Sequence, residues 1–448
     1  MTMMRVVGRA ARLMMAIAAT GIMFVGSARA TTIERVVSPG GIEAWLVQER
    51  AVPLIAVEFA FAGGAAQDPA GKAGTAALTA SLLDLGAGDL DSTQFSDRLE
   101  RKAIQMNFSA QHDTLRGTMR TLTENRDDAF ELLRLAVTAP RFDAKDVEIS
   151  RAQILSLLRR ETTSPADIAS RRWWETAFEG HPYGRPVNGT PETISSLSIA
   201  DLKSYARRVL ARHNLKVAVV GDIDAETLKV LLDRTFGGLP EQPELYPIAN
   251  VAPRGLGQRI EVSLDVPQTV VDFGGPGIPR KDPDFMAAYL VNHILGGGST
   301  DSRLYQEVRE KRGLAYSVSD NLVWLDHAAV LLGGTATRAD RAGETVDLIE
   351  KEIHHFADDG PTAGELAEAK RYLTGAFALN LDSSTKIAAL LVQLQLDGFD
   401  TDYFSRRSAM IEAVTLDDAR RVAKRLLDKG LLVTVVGKPQ GFASTKPN

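Results

Sequence analysis

The 448-residue chain contains no cysteine, which excludes disulfide bonds, a thiolate nucleophile and cysteine-based metal sites. Histidine is also scarce, at seven residues. Only Glu350 with His354 and Glu352 with His355 have the helical spacing that would place two zinc ligands on one face. Both pairs lie in the charged stretch EKEIHHFADDG (350–360), where a solvated helix face is the simpler interpretation.

Other catalytic motifs are missing as well. The chain has no G-x-S-x-G nucleophile turn and no G-x-x-x-x-G-K-[ST] phosphate loop. The run Gly296-Gly297-Gly298-Ser299-Thr300 lacks the lysine of a phosphate loop, so it indicates a glycine segment ahead of a helix. His181-Pro182-Tyr183-Gly184 is a loop pattern with a lone histidine, which favours a structural role.

No apolar run is long enough to span a membrane, but the first thirty residues have the pattern of a signal peptide. Arginines precede an apolar run at residues 13–25, and the small-residue site Ala28-Arg29-Ala30 follows it. An uncleaved anchor is the alternative, although the run is shorter than the roughly 18 residues of a membrane span. We therefore predict that residues 1–30 are removed and that the mature chain starts at Thr31.

The charge balance excludes some partners. Removing residues 1–30 leaves 48 basic and 57 acidic residues, a formal net charge of −9. This charge argues against binding nucleic acid or anionic lipid. An exported chain of this composition is expected in a bacterial periplasm or outside the cell, with no membrane span after cleavage.

Two long segments follow one plan. A Ser198–Asp201 cap pattern leads through a helical stretch to the strand-like residues 215–221, and a Thr415–Asp418 pattern leads likewise to residues 432–437. The segments also begin alike, with AVEFAFAGG (56–64) before Asp68-Pro69 and TVVDFGGPG (269–277) before Asp282-Pro283. These matches at both ends, in the same order, predict an internal duplication.

The predicted organisation is a signal peptide (1–30), an N-terminal domain (31–240), a linker (241–258) and a C-terminal domain (259–448). The linker lies in GGLPEQPELYPIANVAPRGLG (237–257), which has four prolines and no helical or strand period. Within each domain, strands and amphipathic helices mix without a regular βαβ rhythm. This pattern favours an α+β fold, with a mostly antiparallel sheet and helices packed on one face.

One stretch suggests a binding site, GGGSTDSRLYQEVREKRGLAYSVSD (296–320). It predicts a helix that Gly313 ends in the left-handed conformation, followed by a strand with Leu314, Tyr316 and Val318 on one face. Arg309 and Tyr316 could then share one space and grip peptide carbonyls or an oxyanion. The alternative is a cation at a helix C-terminus beside a buried strand tyrosine.

The mature chain resembles the pitrilysin or insulinase family of zinc peptidases, the inverzincins, in its short bacterial two-domain form related to mitochondrial processing peptidase. The resemblance covers residues 33 to about 440. It rests on DPAGKAGTAALTASLL (68–83), HPYGRPVNGTPETI (181–194), VAVVGDID (217–224) and, most specifically, LGGGSTDSRLYQEVREKRGLAYSV (295–318).

Catalytic members carry H-x-x-E-H on the first helix and a distal Glu ligand. The resemblance places the two His positions at Ala77 and Ser81, the base at Ala80 and the distal Glu at Leu157. None of these side chains can hold zinc or activate its water, so the resemblance implies no metal and no cofactor in this chain.

The resemblance also implies that the substrate-binding positions of the family are retained in this chain. Catalytic assemblies of the family bring an Arg and a Tyr, seven residues apart, to the substrate, and these positions correspond to Arg309 and Tyr316. The chain is therefore similar to the non-zinc Arg/Tyr subunit of a heterodimeric peptidase. Its homologous partner would carry H-x-x-E-H and the zinc, and Gly296, Gly297 and Gly298 would help to bind a peptide substrate.

The expected function is the substrate-binding, non-zinc subunit of a peptidase that cleaves peptides or small unfolded proteins. The first alternative is a non-enzymatic scaffold or peptide-binding module, like family members that became structural subunits of respiratory complexes. The second is an independent hydrolase with an unrecognised site. A homodimer remains open.

Overall fold

A computed structural model of the chain describes residues 32–379 and 381–445. The predicted signal peptide and the predicted start at Thr31 lie outside these ranges. Within them, no helix combines the length and the apolar character that crossing a membrane requires.

The strands form two sheets of the same design. The first has six strands in the order β1-β2-β6-β3-β5-β4, and the second has five in the order β7-β11-β8-β10-β9. In each sheet one pair of neighbours is parallel, β2 with β6 and β7 with β11, and the other pairs are antiparallel. The strand bounds are β1 Glu34–Val37, β2 Glu43–Gln48, β3 Leu54–Ala62, β4 Gln105–Ala110, β5 Thr114–Leu122, β6 Leu215–Gly221, β7 Arg259–Ser263, β8 Gln268–Pro276, β9 Ala315–Trp324, β10 Ala329–Arg338 and β11 Leu432–Gly437.

The helices connect these strands. They are α1 Thr75–Ala80, α2 Ser92–Arg101, α3 Arg126–Thr138, α4 Ala144–Glu161, α5 Pro165–Ala177, α6 Pro191–Ser196, α7 Ile199–Val209, α8 Ala225–Phe236, α9 Phe285–Asn292, α10 Ala342–Asp359, α11 Ala363–Leu379, α12 Ser384–Leu396, α13 Tyr403–Glu412 and α14 Leu416–Leu427. The predicted caps are confirmed, because the Ser198 and Thr415 side chains accept from the backbone N–H groups of Asp201 and Asp418. The predicted α+β class is confirmed as well.

We call the parts of the chain before and after the predicted linker the N-terminal half and the C-terminal half. Helices of the N-terminal half cover one face of the first sheet. Alternate residues of β3, among them Val57, Phe59 and Phe61, are buried in a large apolar core shared with α3, α7 and α8. Phe59 makes edge-to-face contacts with Phe108 and Phe236. This core determines which residues of β3 point to the opposite face.

That opposite face carries a helix from the other half of the chain. Helix α12 packs on β3 and β6, and Gln395 Nε2 donates to the Val217 carbonyl at 2.9 Å. In return, α5 packs on β8 and β11, where Trp173 Nε1 donates to the Leu432 carbonyl at 3.1 Å. The sequence pattern predicts helices on one face only, so this reciprocal helix docking is an addition to the predicted fold. The predicted domain boundaries themselves stay a prediction.

A buried polar chain accompanies α12 between the halves. Glu58 on β3 lies 3.9 Å from Arg116 on β5, and Arg116 donates to Gln393 on α12. Gln393 donates to Asp397 at 2.9 Å, and Asp397 lies 3.4 Å from Arg280. Since buried charges are costly without partners, these contacts hold α12 in one position on the first sheet.

We expect Trp173→Phe to destabilise the junction of the two halves. The change removes the indole donor and leaves a small cavity, at a cost of about 1–3 kcal/mol in the free energy of unfolding. Chemical denaturation measures this cost, and limited proteolysis of the linker should accelerate. Trp45→Phe is the control, because Trp45 is also buried but donates to Glu43 within its own half. Equal linker cleavage in both variants would contradict the docking role.

Glu58 should make stability depend on pH. Burial raises its pKa from 4.5 to about 7, against the opposing effect of the Arg116 charge. The folded state therefore binds a proton that the unfolded state releases, so this contribution is present below pH 4.5 and is lost as the pH rises through 7. In urea titrations from pH 5 to 7, Glu58→Gln should reduce the fall in stability by up to about 1.4 kcal/mol per pH unit. Glu226→Gln, at an exposed position, is the control, and equal slopes in the two variants would refute the assignment.

Candidate functional site

Helix α1 and the residue after it carry three of the four positions to which the predicted resemblance assigns the zinc ligands and the base. The Asp68 carboxylate accepts from the backbone N–H groups of Gly74 and Ala76, at 2.7 and 2.9 Å, and so stabilises the start of the helix. Burial raises the pKa of Asp68 to about 7. Ala80 is buried, whereas Ala77 and Ser81 are partly exposed, and the Ser81 hydroxyl donates back to the Leu78 carbonyl.

The distal position, Leu157, lies partly exposed on α4, which packs against α1. The four aligned positions thus present two methyl groups, a hydroxyl and an isobutyl group. In the described ranges, no three His, Cys, Asp or Glu residues lie close enough together to hold a metal ion. The side chains at these positions cannot supply the nitrogen or carboxylate ligands that zinc requires.

Arg309 and Tyr316 lie together. The Arg309 guanidinium stands over the Tyr316 ring at 5.4 Å and over the Tyr305 ring at 4.9 Å. Its Nη1 donates to the Tyr305 hydroxyl and to the Glu310 carboxylate. Among the described residues, Nε and Nη2 have no protein acceptor. Tyr316 is 84% exposed, so its hydroxyl is also open to a ligand.

The segment before Tyr316 differs from the predicted helix. A short 3-10 turn (299–301) is followed by a π-helix, Tyr305–Glu310, which carries Arg309. Gly313 does end this segment in the predicted left-handed conformation, with φ +59°. Its N–H donates to the Arg309 carbonyl, and the Leu314 N–H donates to the Val308 carbonyl. Wide π turns are frequent at functional sites.

The prediction that Tyr316 shares a face with Leu314 and Val318 is wrong. Those two are buried, at 4% and 3% exposure, whereas Tyr316 is not. The register between β9 and β10 shifts between the pairs Val318–Thr335 and Ala315–Thr337. This β-bulge breaks the alternation of side chains and directs Tyr316 into solvent, so the alternative of a buried tyrosine is wrong too.

Two threonines of β10 hold the bulge in place. Thr335 Oγ1 donates to the Ser317 carbonyl and Thr337 Oγ1 donates to the Leu314 carbonyl, each at 2.6 Å. Both threonines are buried. Their bonds flank Tyr316, which makes them positioning residues for its ring.

The glycine segment packs on a buried acid. Gly296 and Gly297 end a π turn, His293–Gly297, and Gly298 follows it. A Cβ at Gly296 would lie 2.7 Å from Asp320 Cγ, so only glycine fits there. Asp320 is fully buried, which raises the pKa of its carboxyl group, and it accepts from Asn292 at 2.6 Å. Close packing therefore accounts for Gly296, and a role of Gly296, Gly297 and Gly298 in substrate binding stays a prediction.

Sequence reasoning missed a histidine cluster around Tyr183. The Tyr183 hydroxyl donates to the Asp113 carboxylate at 2.6 Å and accepts from the backbone N–H of His327 at 3.1 Å. His181 and His112 contact the same ring. His181 also accepts from the Tyr183 N–H, which agrees with the structural role expected for it. The residues of this cluster come from separate parts of the chain, so no local sequence pattern predicts it.

Comparisons with known proteins bear on this site. The model of the family described as "Peptidase M16 inactive domain" matches residues 196–373. An uncharacterised zinc protease from Mycobacterium bovis is 30% identical over 326 residues, covering 71% of this chain and 73% of the relative. The chain belongs to the M16 peptidase family. The predicted resemblance is thereby confirmed.

Two further comparisons bear on the aligned ligand positions. The "Non-peptidase homolog YmxG" of Helicobacter pylori is 27% identical over 326 residues, covering 72% of this chain and 75% of that protein. The crystal structure of a peptidase M16 inactive domain from Pseudomonas fluorescens superposes with a TM-score of 0.85 at 25% identity, covering 93% of this chain and 99% of that one. Together with the residues at the four ligand positions, these findings support a non-catalytic member of the family.

We expect the purified chain to contain no stoichiometric zinc, because the aligned positions lack ligands. Elemental analysis after dialysis measures the metal. Restoring all four residues, Ala77→His, Ala80→Glu, Ser81→His and Leu157→Glu, should yield about one zinc per chain.

The matched control omits Leu157→Glu and should hold zinc much less tightly, because it has two ligands instead of three. Stoichiometric zinc in the wild-type chain would show that the alignment of α1 is wrong.

Proposed function

We propose that this chain is the substrate-binding, non-zinc subunit of a two-chain M16 metallopeptidase. The observation that carries the proposal is the Arg309–Tyr316 pair, with the guanidinium 5.4 Å from the centre of the exposed ring. The aligned positions at α1 and α4 offer no zinc ligands, which supports a source of zinc outside this chain. A homologous partner with H-x-x-E-H would supply the zinc, its water and the base.

The pair has the donors for this role. Arg309 Nε and Nη2 can donate to a carbonyl oxygen of an extended peptide, and the guanidinium plane keeps the two bonds in one orientation. The Tyr316 hydroxyl can donate a single directed bond to the oxygen that becomes negative when the scissile carbonyl is attacked. Arg309 therefore orients the substrate, and Tyr316 stabilises the transition state.

The proposed contacts to main-chain carbonyls also indicate a class of substrate. Main-chain carbonyls are common to all peptides, so a site built on them selects extended or unfolded chains more than particular sequences. We place this activity in a bacterial periplasm or outside the cell, on the basis of the signal-peptide pattern. The chain's net negative charge does not favour nucleic acid as a ligand.

A scaffold or peptide-binding module without catalysis is the second candidate. One observation favours it: Arg309 Nη1 is already used by Tyr305 and Glu310 within the same helical segment. A guanidinium held in this way can stabilise the segment without any substrate. The two functions differ in what happens when Arg309 and Tyr316 are changed.

The first experiment measures peptide hydrolysis and zinc for this chain, for an H-x-x-E-H homologue exported by the same organism, and for their mixture. If the two chains form one peptidase, hydrolysis should appear, or rise strongly, only in the mixture. A homologue that is fully active alone and unchanged by mixing supports the scaffold and removes the proposed function.

In the active mixture, Tyr316→Phe should lower kcat by roughly 10²-fold with a smaller change in KM, because one oxyanion donor is lost. Tyr246→Phe is the matched control, since Tyr246 is also exposed but lies in the linker. Arg309→Lys should raise KM, because an ammonium group cannot donate in a planar fork. Arg312→Lys, whose guanidinium bonds to Glu307, controls for loss of a neighbouring cation. An unchanged kcat for Tyr316→Phe would remove that residue from the chemistry.

A further inference from the structure

A cavity lies on the N-terminal half, distant in sequence from Arg309 and Tyr316. It has a volume of about 450 Å³ and lies between the end of α3, the following residues 139–142, helix α7 and residues 238–240. Small-molecule sites in proteins have volumes of roughly 300–1,000 Å³. The cavity therefore has the size of a ligand site.

Its walls are mostly apolar. Val137, Phe142, Ala206, Leu210 and Leu239 line it, and each of them is largely buried. Phe142 adopts φ +52°, a left-handed conformation that is unfavourable for a bulky residue. Strained residues of this kind concentrate at ligand sites, because the surrounding structure must hold them there.

Two cations stand at one side of this apolar space. Lys203 and Arg207 lie one helical turn apart on α7 and both line the cavity. In the described part of the chain, neither side chain has an ion-pair or hydrogen-bond partner, and no acidic side chain lines the cavity with them. The nearby Asp201 carboxylate is used by Ser198 and Lys72. Lys203 and Arg207 are exposed to solvent, so both are free to pair with an anionic ligand at the edge of the cavity.

We propose that this cavity binds the carboxylate of a medium-chain fatty acid, with the alkyl chain inside and the carboxylate between Lys203 and Arg207. The volume equals roughly fifteen water-sized units, and a methylene group is about as large as a water molecule, so an unbranched chain of roughly ten carbons fits. The site is independent of the proposed peptidase function.

The test measures binding by isothermal titration calorimetry to the chain without residues 1–30, with hexanoate, octanoate and decanoate below their micelle concentrations. Each buried methylene should tighten binding about fourfold, so two should lower Kd roughly tenfold or more. Added salt should weaken decanoate binding but leave decanol binding unchanged, because only the carboxylate interacts with the cations.

Two variants separate the head from the tail. Lys203→Gln combined with Arg207→Gln should weaken decanoate roughly tenfold and spare decanol. Lys229→Gln is the control, since Lys229 lies on α8 and pairs with Glu226. Gly238→Leu should fill the cavity and abolish binding of both ligands. A Cβ at Gly238 meets only the Thr138 methyl group, at 3.5 Å, so this variant should fold, as a thermal melt can show.

Three results would overturn the proposal. Binding that does not depend on chain length would exclude an alkyl pocket. Equal affinity for decanoate and decanol would exclude the cations. Unchanged binding to Gly238→Leu would place the amphiphile elsewhere on the surface.

Discussion

The indole of Trp173 and the amide of Gln395 each donate to a strand carbonyl of the opposite half. In each direction a helix from one half packs on the sheet of the other half and bonds to its backbone. The two halves are therefore joined by directed hydrogen bonds as well as by packed side chains. The contacts of Glu58 with Arg116 and of Arg116 with Gln393 add a polar constraint at the same junction. These partly buried polar side chains find their partners only when the two sheets are in this relative position.

On this framework, local backbone irregularities set the geometry of the candidate site. The π turn brings Arg309 to the end of its helical segment, Gly313 reverses the chain, and the bulge opposite Thr335 and Thr337 turns Tyr316 outward. Each irregularity is fixed by a named bond or by a left-handed glycine. The pair thus approaches within cation–π distance without any direct hydrogen bond between its members. Hydrogen bonds on both sides of the pair fix the backbone that carries it, and the Tyr316 ring is exposed to solvent.

Much of this could be predicted from residues. Capping boxes at Ser198 and Thr415, the buried strands that follow them, and the turn at Gly313 depend on local chemistry, and local chemistry is visible in a sequence. The exposure of Tyr316 was not predictable, because a bulge depends on the partner strand and reverses the period-two pattern. The reciprocal docking of α5 and α12 was not predicted either. An amphipathic pattern indicates that a helix packs on something, but it does not indicate which sheet the helix packs on. The histidine cluster around Tyr183 joins distant segments and has no local signature.

Helix α1 and the segment around Tyr316 differ in what they contribute to the stability of the fold. At α1, small side chains fill the space of a packed helix, and such filling stabilises a fold whether or not it has a function. At Tyr316, a large ring is 84% exposed, and the bulge that exposes it interrupts the pairing of an edge strand. Neither feature improves packing. Burying the ring on the alternating face would gain apolar contacts, so a fold optimised for stability alone would not keep the present arrangement. The proposed function rests on this exposed phenol and on the Arg309 donors that have no acceptor among the described residues.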